Sequence, residues 1–288
     1  LYKKEDVRKD FMITHLIHLM DLILQHELQL DLSILTYAVL PIHCQAGLIE
    51  CISDAHTMYD IKERLHFTLQ NYMMDHNQTD TVETVRGRFM RSSVAYSVIT
   101  YLLGIGDRHL DNIMVTKQGV LFHIDYGFIL GSEPKPMAPH MKITPDMVDA
   151  LGGVQSTYFR QFQELCKTTY NCLRRHANLC LMMLGSLSKA SPPIQSYHVS
   201  ESILRQEIVN RFLPGQTSEE AEHHIFNRIR TSHTYRSPLM DFIYYHKKEG
   251  TAWKSFNSYV KYINPTYWFA SSNPTEETLD SIKDNLSN

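Results

Sequence analysis

Asp107-Arg108-His109-Leu110-Asp111-Asn112, written DRHLDN, stands upstream of Phe122-His123-Ile124-Asp125-Tyr126-Gly127, FHIDYG. The residues from Asn112 to Ile124, NIMVTKQGVLFHI, read as two short apolar and β-branched strands that turn at Gln118-Gly119. Such a hairpin brings Asn112 and Asp125 together. Both offer hard oxygen ligands, and Mg²⁺ favours one or two such side chains supplemented by substrate phosphates. The pair therefore suits phosphoryl transfer, with Asp107, Arg108 and His109 just upstream, where an acceptor hydroxyl would lie.

Working outward, the stretch RSSVAYSVITYLLG at 91–104 is an apolar helix that feeds the loop, and Gly104 and Gly106 allow a tight backbone path into Asp107. After Gly127 the chain reads GFILGSEPKPMAPHMK, rich in Pro and Gly and without a period, which makes it a loop. Thr144-Pro145-Asp146 then starts a helix, with Thr as N-cap and Pro in the first turn.

These motifs resemble the phosphatidylinositol 3-/4-kinase superfamily, whose catalytic loop reads DRHxxN and whose metal loop reads DFG. Protein kinases run the catalytic loop in the opposite order, as HRD. The wording YLLGIGDRHLDNIMV, FHIDYGFILG and PKPxxPxMK is most like the class III members, and Tyr126 in place of the usual Phe bears on the packing behind the metal loop. The resemblance runs over about residues 1–253 and is strongest over 91–153.

The fold this implies is α+β: a two-lobed, protein-kinase-like lipid kinase with an incomplete N-lobe and a mainly helical C-lobe. Residues 1–53 would be the remainder of the N-lobe with the hinge. Residues 54–253 would be the C-lobe, with catalytic loop 104–112, metal loop 123–127 and activation loop 127–143. Residues 254–288 form an extension without an assigned role. The family's phosphate-gripping loop precedes its IFK lysine, where this chain begins, so the N-lobe is expected to be incomplete and the chain weakly active alone.

The resemblance also implies the site. Asp107, Arg108 and His109 are catalytic, with either His109 or Asp107 taking the hydroxyl proton. Asn112 and Asp125 hold Mg²⁺, with Mn²⁺ as the other candidate ion. Lys3 and Asp10 occupy the places of the IFK lysine and the acidic residue at the following helix start. Tyr37 lines the back of the ATP pocket, and the backbone of Glu50, Cys51 and Ile52 grips adenine. Lys135 and Lys142 face the lipid headgroup, and two cations match a single diester phosphate. The implied reaction uses ATP to phosphorylate the inositol ring of phosphatidylinositol at the 3-position. A phosphatidylinositol 4-kinase is the alternative, and a non-catalytic membrane or scaffold module of the same fold is the third reading.

The remaining elements follow from pattern. Residues 1–3 end a strand, and Ile13, Leu16, Ile17, Met20, Ile23 and Leu24 mark the buried stripe of a helix. Strands are expected at 33–40 and 46–52, helices at 57–74, 82–103, 154–172 and 173–187, and a linker at 188–200. Thr217 to Glu220 is a capping box opening a helix. His223 and His224 are adjacent, hence on different faces, and are no metal pair. Residues 238–253 carry Phe242, Ile243, Tyr244 and Tyr245 beside Lys247 and Lys248, which suits either a helix at a membrane interface or one packed on the C-lobe.

Composition narrows the setting. The 288 residues carry a formal charge of −3, with 43% hydrophobic and 20% charged residues. That charge draws the chain to no nucleic acid. Cys44, Cys51, Cys166, Cys172 and Cys180 are odd in number and lack CxxC spacing, which argues against a zinc ribbon or a disulfide framework and for a reducing compartment. No apolar run reaches a membrane span and the first ten residues are too charged for a signal peptide. The expectation is a cytoplasmic protein, peripheral on endosomal or other intracellular membranes, with phosphatidylinositol and regulatory protein subunits as partners.

Overall fold

Helix α1, Arg8–Leu28, buries Met12, Ile13, Leu16, Ile17, Met20, Ile23 and Leu24, the stripe that its spacing predicts. The structure, a computed structural model, describes residues 1–134, 138–190 and 201–232. At its N-terminus, the Asp6 carboxylate accepts from the Arg8 amide at 3.1 Å and from its guanidinium at 2.9 Å, occupying one of the first-turn donors that a helix leaves open. Gln29, in the left-handed region at φ 50°, ends it.

Two small antiparallel sheets flank the helices. Strands β1 (Tyr2–Lys3), β2 (Val39–His43) and β3 (Ala46–Ile49) pair in the order β1-β3-β2, with Tyr2 opposite Leu48 and Leu48 opposite Leu40. Gly47 is needed here, because a Cβ would collide with the Val7 side chain just ahead of α1. Strands β4 (Ala55–Thr57), β5 (Ile113–Thr116) and β6 (Leu121–His123) form the second sheet in chain order. The β5–β6 hairpin turns through Gly119 at φ 86°, where its sequence places it.

The helical part is built on α3, Val82–Leu102, whose residues from Ser92 to Leu102 are all buried. Thr81 caps it through its hydroxyl, which accepts from the Thr84 amide at 3.2 Å. It packs on α5 (Thr157–Arg175) and on β6, and the Ser92 hydroxyl accepts from the Leu121 amide at 2.9 Å, tying the hairpin to the core. Helix α5 also meets α1 and α8 (Ser218–Ser232). Two further capping expectations hold. Thr144 accepts from the Met147 amide at the start of α4 (Pro145–Ala150), and Thr217 and Glu220 each accept from the other's amide at the start of α8.

Several boundaries differ from expectation. Residues 33–38 are not strand: Ser33 sits at φ 53° with its amide on the Asp31 carboxylate, and the Leu35 carbonyl takes the Tyr96 hydroxyl, so local and tertiary bonds replace a ladder. The helix expected at 57–74 is β4, a π-helical turn Asp60–Arg64 and α2 (Leu69–His76), broken by His66 at φ 58° and restarted by the Thr68 cap. Helix α5 starts at the Ser156 cap and runs to Arg175, and α6 (Ala177–Ala190) continues past 187. Helix α7, Glu201–Phe212, was not expected. Residues 238–253 and 254–288 lie outside the described residues. Among the described residues no helix is long and apolar enough to cross a membrane.

Candidate active site

The β5–β6 hairpin performs the juxtaposition that its sequence implies. Ile113 pairs with His123, and the Ile124 amide donates to the Asn112 carbonyl at 3.1 Å, so Asn112 and Asp125 flank the same end of the ladder. Asn112 is buried, and its amide nitrogen donates to the Asp107 carbonyl at 2.9 Å. That bond orients the side chain and turns its oxygen into the atom that could meet a metal ion. Asp125 is exposed, at φ 60°, and its Oδ1 accepts from the Gly127 amide at 3.2 Å. Among the described residues no group of three or more His, Cys, Asp or Glu forms a metal cage. One amide and one carboxylate oxygen at a hairpin end match instead an ion that completes its shell with phosphates and water.

The catalytic-loop residues occupy a second rim. The Asp107 carboxylate and His109 Nε2 are 3.7 Å apart, both side chains largely shielded, and the His109 amide donates to the Asp107 carbonyl at 2.9 Å. His109 Nδ1 lies 4.0 Å from Asp111. Asp107 is left-handed at φ 53°.

Arg108, grouped with these two as catalytic, turns the other way. Its side chain is buried and donates to the Gly106 carbonyl at 2.7 Å, to the Ile124 carbonyl at 2.8 Å and to the Asp125 carbonyl, with its guanidinium over the Tyr126 ring. A planar fork with several fixed donors serves this purpose. Arg108 is thus a positioning residue that locks the catalytic loop to the metal loop.

Helix α1 holds the metal loop from the opposite side. The buried Asp10 carboxylate accepts from the Tyr126 amide at 3.1 Å, and Lys9 Nζ donates to the Gly127 carbonyl at 3.0 Å. Burial pushes the Asp10 carboxyl above the ordinary range; the Tyr126 amide opposes this, Asp125 adds to it, and Lys3 opposes it. Lys3, in β1, pairs with Glu5 at 2.5 Å. Partial burial pulls its pKa down, but Glu5, with Asp125 and Asp10 beyond it, holds the ammonium above its usual value. Lys3 is therefore within electrostatic reach of the metal-loop carboxylate.

Behind the loop lies an aromatic stack. Tyr126 is fully buried, its hydroxyl donates to the His123 carbonyl at 2.9 Å, and its ring lies parallel to that of Tyr37 at 6.4 Å. Burial pushes both phenols up, and it pushes the His123 imidazole well down, so that ring is neutral. Strand β3 ends at Ile49, and the Glu50 amide and carboxylate both bond Ala38, by 2.9 Å to its carbonyl and 2.8 Å from its amide. Cys51 is exposed and Ile52 half-buried beyond the ladder's end.

The headgroup residues fare differently. Lys142 is buried rather than carried on an exposed loop, and Lys135 lies outside the described residues. Lys9 and Glu133 escaped the reading of the sequence. Lys9 adjoins Asp10 in a charged run and has no motif of its own, and the Glu133 carboxylate accepts from the Asp107 amide at 3.1 Å, a contact to backbone that residue type does not announce.

Comparison with known proteins adds names to this geometry. The family described as phosphatidylinositol 3- and 4-kinase matches residues 1–196. The chain is 35% identical over 240 residues to phosphatidylinositol 3-kinase VPS34 of Candida glabrata, covering 82% of this chain and 26% of that protein. It is 34% identical over 256 residues to phosphatidylinositol 3-kinase catalytic subunit type 3 of Caenorhabditis elegans, covering 85% and 28%. It is 36% identical over 233 residues to the root isoform of phosphatidylinositol 3-kinase from Glycine max, covering 80% and 28%. The chain thus spans little more than a quarter of the length of the curated relatives it matches.

Proposed function

This chain belongs to the phosphatidylinositol 3- and 4-kinase family, and we propose that it transfers the γ-phosphate of ATP to the 3-hydroxyl of the inositol ring of phosphatidylinositol. The observation that carries the reading is the hairpin that sets Asn112 and Asp125 at one edge, with Asp107 and His109 on the loop that leads into it. The relatives' names favour the 3-position over the 4-position.

In this reading Asn112 and Asp125 hold a divalent ion, Mg²⁺ or Mn²⁺, that neutralises charge on the nucleotide phosphates when bound. Lys3 adds a cation on the same side. The acceptor hydroxyl lies against Asp107 and His109, which stand 3.7 Å apart, and either His109 or Asp107 takes its proton. Tyr37 backs the nucleotide, and the Glu50 to Ile52 backbone grips the base. Asp10, Lys9 and Arg108 position the metal loop. Residues 1–53 are the remainder of the N-lobe with its hinge, and the described residues from 54 onward belong to the C-lobe. The protein works peripherally on intracellular membranes with regulatory subunits.

The test is incubation of the protein with labelled ATP and phosphatidylinositol vesicles, with the ring position of the product identified. The 3-phosphate is expected. A 4-phosphate, or no lipid product, overturns the reading.

A further inference from the structure

Helix α3 ends where the catalytic loop begins, and the last carbonyls of a helix have no partner within it. The Tyr101 carbonyl is one of these. It accepts from the Gly104 amide at 3.1 Å and from Arg211 Nη1, on α7, at 3.2 Å. The Arg211 guanidinium also lies over the Tyr101 ring, 5.6 Å from its centre, and the Tyr101 hydroxyl and His224 Nε2 of α8 are 2.6 Å apart. A cation at this end suits the negative pole of the α3 dipole, and the planar guanidinium gives the contact direction.

Gly104, where the chain leaves α3 at φ 58°, packs against the same side chain: a Cβ there would stand 3.2 Å from Arg211 Nε and collide with the Gly131 amide. From this turn the backbone is pinned to the loop after the metal site. The Gly131 amide donates to the Gly104 carbonyl at 2.8 Å and the Gly106 amide to the Phe128 carbonyl at 2.9 Å, one residue before Asp107. Arg211 is itself held from α5. The Tyr170 hydroxyl donates to the Arg211 carbonyl at 2.7 Å, and the Arg174 guanidinium donates to the Phe212 carbonyl at 3.3 Å and the Leu213 carbonyl at 2.6 Å.

We infer that Arg211 is a positioning residue for the phosphoryl transfer: held at the end of α7, it fixes the end of α3 and the Gly104 turn, and through them the placement of Asp107 and His109. The inference rests on the lipid-kinase reading above and deepens it. Loss of the contact displaces the acid–base pair and leaves the nucleotide-binding residues where they are, so the chemical step slows while ATP still binds. Small misplacements of a catalytic group are costly, and the expected loss is about tenfold or more in kcat.

The experiment compares the protein with Arg211→Met and Arg211→Lys, measuring kcat on phosphatidylinositol vesicles, the Kd for ATP with Mg²⁺ by calorimetry, and melting temperature. Methionine keeps an unbranched apolar stem and removes the donors, whereas lysine keeps the charge without the fork. The expected result is a kcat lowered about tenfold or more in Arg211→Met and less in Arg211→Lys, with the Kd for ATP within about twofold of the parent. Parental kcat in Arg211→Met overturns the proposal. So does a fall in kcat matched by an equal loss of ATP affinity or by the unfolded fraction, since either makes Arg211 a general brace. If Arg211→Met does not fold, Arg211→Lys carries the test, and parental kcat there overturns the proposal. An unaltered protein that binds ATP and forms no lipid product sinks the kinase reading and this inference with it, a pattern distinct from an active parent with unaffected variants.

Discussion

The Tyr126 amide donates to the buried carboxylate of Asp10 at 3.1 Å, so the first turn of α1 holds the peptide next to the metal-loop aspartate. Lys9 grips the following carbonyl, at Gly127. Two consecutive helix residues thus clamp the backbone of two consecutive loop residues, and the position of Asp125 depends on that of α1.

The Asp10 clamp is an anion buried at a cost, which gives it a pH signature. Its folded-state pKa lies above the ordinary carboxylate value, chiefly through burial. The folded protein therefore holds that proton to higher pH than the unfolded chain does. Its contribution to stability is present in full below the unfolded pKa of about 3.9 and is lost as pH rises through the raised value. Asp10→Asn keeps the acceptor and removes the titration. The stability of Asp10→Asn minus that of the parent should grow with pH across this window and level off above it, measured by urea unfolding. A difference that stays flat from acid to neutral pH would contradict the buried-anion account.

Arg108 should behave as a brace. Arg108→Ala strands three carbonyls, those of Gly106, Ile124 and Asp125, and should cost about 3 kcal/mol of stability along with activity. Arg108→Lys should fall between, because a single ammonium does not reproduce the fork. Full stability with lost turnover in Arg108→Ala would return Arg108 to a direct catalytic role.

For the metal pair, the left-handed backbone of Asp125 dictates the variant. Asn tolerates φ 60° better than Ala does, so Asp125→Asn isolates the charge, and should lower transfer on the order of 10³-fold with little change in melting temperature. Asn112→Ala should lower both, since its amide also holds the Asp107 carbonyl. Near-normal kcat in Asp125→Asn, checked across a Mg²⁺ titration, would remove Asp125 from the metal site.

Tyr126 stands where the family's metal loop carries Phe, and its hydroxyl is satisfied within its own loop by the His123 carbonyl at 2.9 Å. Tyr126→Phe should therefore cost about 1 kcal/mol of stability and leave turnover within a few-fold of the parent. Loss of transfer without loss of stability would give the hydroxyl a part in the chemistry that its geometry does not suggest.

The sequence alone determined the hairpin, α1, α3 and the caps at Thr144 and Thr217, because alternation, helical spacing and capping are local and written in residue type. It also named Asn112 and Asp125, since a tight hairpin converts sequence distance into spatial proximity. Tertiary structure decided which groups face the chemistry and which hold the frame. Arg108 points at three carbonyls, Asp10 and Glu133 at amides, and Lys142 into the interior. Residues 33–38 left strand for a path across Tyr96. In each case the partner is a backbone atom or a packed surface remote in the chain, and every residue type offers the same carbonyl and, proline apart, the same amide, so nothing in the side-chain pattern marks the contact before the chain has folded.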